Sequence, residues 1–170
     1  MSVTSYYASQ GRKAAPNALS LEEADRVLDA PGLALLLAWR GSQPADGSPP
    51  PYAAFDPSAH PRALPGVQLV EIDDAGAFRY RLVGTREAAL RGFDPTGRLV
   101  SEGFFGVDAE EVLSYYRRAQ TERTPILIEC DLLTTASRLR VYDISLFLPF
   151  AGDDGSVTRV ICYSHQPRRP

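Results

Sequence analysis

The sequence predicts an α+β fold: a five-stranded antiparallel sheet with helices on one face, and an N-terminal helical extension. Three observations predict this. From Val67 onward the order is strand, strand, short helices, one longer helix, then three strands. Strand-like runs alternate with period two, whereas the longer helix repeats at i, i+3, i+4 and i+7. The early and late strands connect through Asp- and Gly-rich turns, which suits hairpins and not βαβ crossovers.

Residues 1–18 read as a flexible tail, 19–64 as the helical extension with a Pro-rich loop, and 65–166 as the sheet-bearing domain. Ser20-Leu-Glu-Glu23 has the form of a capping box, with Leu21, Ala24, Val27 and Leu28 at helical spacing. Pro31 interrupts or restarts this helix, and Gly32 to Arg40 is almost wholly apolar. Residues 41–51 form a loop. Asp56-Pro57 opens another short turn of helix, because Asp caps and Pro suits the first helical position.

Val67–Asp73 and Phe78–Gly84 are strands around a turn at Asp74-Ala-Gly76. In the second, Phe78, Tyr80 and Leu82 share one face by alternation. Thr85 is placed to cap a helix over 86–91 that Gly92 ends. Asp94-Pro-Thr-Gly97 carries type I turn preferences. Asp108 caps the longest helix, whose stripe is Val112, Tyr115, Tyr116 and Ala119. Residues 126–133, 138–150 and 157–163 are the last strands. In the middle one, Tyr142, Ile144, Leu146, Leu148 and Phe150 alternate with Asp143 and Ser145.

Composition excludes several classes. The chain has 170 residues, 44% hydrophobic and 23% charged, with net charge −3. That is ordinary globular composition, with no basic excess to attract nucleic acid or an anionic membrane. The first fifteen residues lack the apolar core of a signal peptide, so a cytoplasmic location is expected. Cys130 and Cys162 lie in strand-like runs without metal-ligand spacing and read as buried thiols. His60 and His165 are the only histidines, so no metal centre is expected.

At this point the chain resembles a PAS domain. The helix ending in Trp39-Arg40, Phe55-Asp56-Pro57, the strand from Phe78 to Thr85, Asp94-Pro95-Thr96-Gly97, and Leu148-Pro149 before an acidic turn carry a narrower likeness. That likeness is to a bacterial family of short stand-alone PAS-like proteins, over Leu33 to the end. The resemblance implies a sensory or docking module that holds a small molecule between sheet and helices, or that makes protein contacts alone. Fold by itself does not choose between these.

The expected pocket candidates are Tyr80, Leu82, Phe93, Leu99, Phe104, Phe105, Tyr115, Cys130, Tyr142 and Ile144. All of them also serve as core residues. Tyr80 and Tyr142 stand out because a buried phenol needs a hydrogen-bond partner. Arg140 shares the parity of Tyr142; it points inward to meet an anion, or sits in solvent at a frayed strand end. A flavin-linked light sensor of this family would need a Cys in the helical segment, and a haem sensor a His on the long helix. Neither is present, so no haem or flavin cofactor is expected; the alternatives are an unidentified small molecule or no ligand. Glu129, Asp131 and Asp143 alternate with the core face and are expected in water, so no enzymatic activity is expected. The apolar run with Leu33, Leu36, Leu37 and Trp39 is expected to cover the open sheet face beside Leu127, Leu133, Val141 and Phe147, or to pair with its twin in a homodimer.

Overall fold

The computed structural model describes residues 12–13, 20–105, 108–134 and 137–167. Strand β1 is Arg12–Lys13, and helices α1 and α2 are Leu21–Val27 and Ala30–Gly41. Strands β2 (Val67–Ile72) and β3 (Phe78–Val83) precede the short helices α3 (Thr85–Arg91) and α4 (Val100–Gly103). Helix α5 (Ala109–Glu122) leads to β4 (Ile126–Leu133), β5 (Arg140–Ala151) and β6 (Val157–His165). Three 3-10 turns, Tyr52–Ala54, Pro57–Ala59 and Leu64–Gly66, occupy the connection between α2 and β2.

The strands form one sheet in the order β1-β4-β5-β6-β2-β3, and the pairings between strands are all antiparallel. Both early strands and all three late ones therefore share a single layer. β1 adds two residues at the β4 edge, opposite Glu129 and Ile128. It falls within the segment expected to be tail, most of which lies outside the described residues.

Local chemistry sets the element ends. Ser20 accepts from the Glu23 backbone while Glu23 accepts from the Ser20 backbone, completing the capping box of α1. Asp29 caps α2 by accepting from the Gly32 backbone at 3.0 Å, with Pro31 in the first turn. Asp108 caps α5 through the Glu111 backbone. The cap of α3 differs from expectation: Gly84 is the N-cap, and Thr85 is already helical. A side chain on Gly84 would have to enter the backbone of the preceding turn, since its Cβ would lie 2.1 Å from the Leu64 carbonyl oxygen.

The sheet is covered on both faces. The inner face packs on α3, α4 and α5 through a core that includes Val70, Tyr80, Phe105, Tyr116, Ile128, Phe147 and Cys162. The outer face packs on α1 and α2 through Leu35, Leu36, Trp39, Leu127, Ile144, Leu146, Leu148 and Tyr163. Trp39 anchors this layer, donating its indole N–H to the Pro149 carbonyl at 2.7 Å. Tyr163 donates its hydroxyl to the Asp29 carboxylate at 2.8 Å. Within one chain, then, α2 covers the open sheet face.

The parity of β5 is the reverse of the expected one. The β4–β5 register places Cys130 opposite Asp143 and Ile128 opposite Ser145. Residues paired across an antiparallel ladder share a face. Asp143, Ser145 and Phe147 therefore point inward with Cys130, and Tyr142, Ile144 and Leu146 point toward α2. Phe147 belongs to the inner core and not to the outer patch. Arg81 pairs with Glu71 at 2.7 Å. Among the described residues, no helix is long and apolar enough to cross a membrane.

Candidate ligand-binding site

A cavity lies between the inner face of the sheet and two flanking pieces, Phe104-Phe105 after α4 and the first turns of α5. Phe104 and Phe105 close one side, and Val112 and Tyr115 the next. Ile128, Cys130, Leu132 and Phe147 form the apolar sheet wall. The polar lining residues on the sheet are Gln68 of β2, Asp143 and Ser145 of β5, and Ser164 of β6. Asp108 and Glu111 contribute from the start of α5. The cavity volume is about 30 Å³, space for one or two waters, since one needs roughly 10–15 Å³.

The polar groups form a hydrogen-bond chain with a fixed direction. Arg91, whose side chain is wholly buried, donates to the Gln68 amide oxygen at 3.0 Å and to the Tyr80 hydroxyl at 3.3 Å. It also donates to the carbonyl oxygens of Gly103 and Glu87, each at 2.7 Å. With its oxygen held by Arg91, Gln68 presents its NH₂ the other way, to Glu87 and Ser164 at 3.3 Å. Ser145 donates to Asp143 at 2.6 Å. A hydroxyl has one proton, so the 2.7 Å Ser145–Ser164 contact is donated by Ser164. The chain runs Arg91 to Gln68 to Ser164 to Ser145 and ends on Asp143. Gln166 donates to the second Asp143 oxygen at 2.6 Å.

Two buried carboxyls sit in this network with one buried guanidinium. Burial pushes Glu87 up to about 7, and the nearby Asp143 carboxyl adds to the rise, while Arg91 opposes it. Burial also raises Asp143, against the hydrogen bonds from Ser145 and Gln166. Burial pushes the Cys162 thiol up to about 12 and raises Cys130 as well. Both cysteines are free and remain thiols, without the depressed pKa of a reactive nucleophile.

The expected residues divide as follows. Phe104, Phe105, Tyr115 and Cys130 line the cavity. Tyr80 is fully buried beside it, in contact with Arg91. Tyr142 and Ile144 lie on the α2 side of the sheet, where Tyr142 donates to Glu129 at 2.7 Å. Arg140 is exposed at the start of β5. These three leave the pocket because of the β4–β5 register.

Leu82 leaves it for a different reason. A bulge shifts the pairing from Leu69↔Leu82 to Val70↔Tyr80. The extra residue, Arg81, breaks the alternation and turns Leu82 away from the Tyr80 face; it is 42% exposed. Phe93 is 41% exposed under the Arg98 guanidinium, and Leu99 is half-buried. Asp143, expected in water, is 2% exposed. Asp131 is also buried. Leu36 and Trp39 are buried within the chain, whereas Leu37 is 48% exposed and Leu33 half-buried.

Sequence reasoning missed Gln68, Glu87, Arg91, Asp143, Ser145 and Ser164. The available signals were polar residues inside otherwise apolar strands and a Glu87/Arg91 pair at i, i+4 spacing.

A single antiparallel sheet roofed by short helices around an internal cavity defines a PAS-type sensory fold. A PAS-domain family model matches residues 29–163, and the chain belongs to that family. The fold is similar to a light-oxygen-voltage domain studied with a flavin analogue, at TM-score 0.52 and 9% identity over 66% of this chain and 84% of that one. A fungal light-oxygen-voltage photoreceptor aligns at TM-score 0.48 and 14% identity, over 85% and 99% of the two chains. The PAS domain of a Colwellia psychrerythraea protein aligns at 0.46 and 15%, over 65% and 95%. No curated protein matches the sequence. The residues here do not fit a flavin. The cavity of about 30 Å³ is far below the ~150 Å³ that holds a single benzene ring, and the helices α3, α4 and α5 contain no cysteine.

Proposed function

We propose that this chain is a non-enzymatic sensory or regulatory module, cytoplasmic, that binds a small molecule in the cavity and signals through non-covalent contacts. One observation carries the reading: a buried polar chain that lines a cavity at Asp143, Ser145 and Ser164 and continues to Gln68 and Arg91. Groups of this kind are retained in a core where they are satisfied and used. A ligand that alters the chain would bias α3 against the sheet, provided it binds two arrangements unequally. Native mass spectrometry of freshly purified protein tests this. A small-molecule adduct on the chain is the expected result. A bare chain that also takes up nothing from a cell extract overturns it.

A second reading is a docking module that acts without ligand, as a homodimer or with another signalling protein. Its support is Leu37, 48% exposed on α2 next to half-buried Leu33. Light scattering on a sizing column separates the readings. A dimer of bare chains that Leu37→Glu converts to monomer, with unchanged melting temperature, favours docking.

A further inference from the structure

We infer that the cavity takes a small cation, a primary ammonium no larger than methylammonium, with Asp143 as the anchoring carboxylate. The inference rests on the ligand-binding reading above and names the chemistry of that site.

The first support is the charge inventory. Glu87 is paired with Arg91 at 3.3 Å. Asp143 is 2% exposed and receives only neutral donors, Ser145 and Gln166. Among the described residues, no cationic side chain makes an ion pair with it, and Arg91 and His165 act on it only from beyond ion-pair distance. Buried carboxylates are ordinarily paired, because desolvation penalises the lone charge.

The direction of the hydrogen bonds is the second. Arg91 holds the Gln68 amide oxygen, Gln68 donates to Ser164, and Ser145 and Gln166 each donate to one oxygen of Asp143. The chain thus delivers two hydrogen bonds to Asp143 as an acceptor and leaves its remaining lone pairs for a donor in the cavity. The third support is the rest of the lining. It contains Asp108 and Glu111 and no Arg or Lys, and its other walls include Phe104 and Phe147. An anion finds no partner there, and an apolar stem does. The volume of about 30 Å³ limits the ligand to about two heavy atoms.

The test is an NMR titration of the full chain with methylammonium, formate and methanol, following the backbone amides of β4 and β5. Saturable shifts with methylammonium, and none with formate, are expected. Asp143→Asn should weaken methylammonium at least tenfold, while Asp74→Asn, which removes an exposed carboxylate at the β2–β3 turn, should retain binding within threefold. If Asp143→Asn does not fold, the selectivity of the unmodified chain decides. Equal or tighter binding of formate or methanol overturns the cation while leaving a ligand-binding cavity. Silence from all three probes overturns the inference, and the ligand-binding reading is then judged by the native mass measurement alone.

Discussion

The guanidinium of Arg91 lies 3.3 Å from the carboxylate of Glu87, one helical turn away, with both side chains wholly withdrawn from solvent. The pair also ties α3 to β2 through Gln68 and to the end of α4 through Gly103. It is the junction between helices and sheet.

Removing one partner should therefore be severe. Arg91→Met strips five hydrogen bonds from buried acceptors. The expected loss is about 3–5 kcal/mol, the usual effect of breaking a buried pair. Glu87→Gln keeps the shape and should lose less. In the double variant the two losses should add to less than their sum, because the residues share one network. Urea unfolding of all four proteins measures this, and strict additivity would refute the coupling.

Stability should fall as pH rises toward neutrality. Glu87 titrates near 7 when folded, against an ordinary 4.5. Between those values the native state holds a proton that the unfolded chain has released, so stability declines across about pH 5 to 7 and levels off above. The ceiling is roughly 3 kcal/mol for such a shift. Asp143 is raised as well and acts in the same direction. Glu71, lowered by Arg81, has the opposite sign, but its stabilisation is lost only below its ordinary value. Unfolding free energies across this range should slope downward, and Glu87→Gln should flatten the slope. A rising profile would contradict the assignment.

Trp39→Phe keeps most of the apolar contact but leaves the Pro149 carbonyl without its 2.7 Å donor. An unpaired buried acceptor costs about 1–3 kcal/mol. Trp39→Glu should prevent folding at moderate temperature, since the side chain is 2% exposed against Leu- and Phe-rich walls. A Trp39→Glu protein with native melting temperature would mean that α2 does not cover the sheet.

Gly84→Ala places a methyl 2.1 Å and 2.4 Å from the carbonyl oxygens of Leu64 and Pro65. The obstacle is backbone, which cannot rotate aside as a flexible side chain would. Overpacking of this kind costs about 1–3 kcal/mol or more. Gly41→Ala, with open space around the Cβ position, serves as the control and should be nearly neutral or stabilising. Thermal melts of the two variants make the comparison.

The strands and their single sheet were legible because turn residues punctuate them: Asp73 accepts from Ala75 and Ala77 around Gly76, and Gly155 closes the last hairpin in a left-handed conformation. The site was not legible to the same degree. Alternation assigns two faces but does not say which faces water, and here neither does. Tyr142, Ile144 and Leu146 are apolar because α2 covers them, so they look like the inner face. Asp143 and Ser145 are polar because they wall a cavity, so they look like the outer one. Pairing Cys130 with Asp143 in register would have decided the matter. The bulge at Arg81 had no sequence mark, and Leu82 was misplaced with it.

Tyr163 gives its hydroxyl to Asp29, the residue that begins α2, while its neighbours Cys162 and Ser164 line the cavity from the other side of the same strand. Opposite layers are thus tethered through consecutive residues of β6. A fragment begun at residue 65 would bare an oily sheet back and untie that strand at once. The smallest piece expected to melt as one cooperative unit starts no later than Asp29, because the α2 layer and the cavity wall meet in one strand.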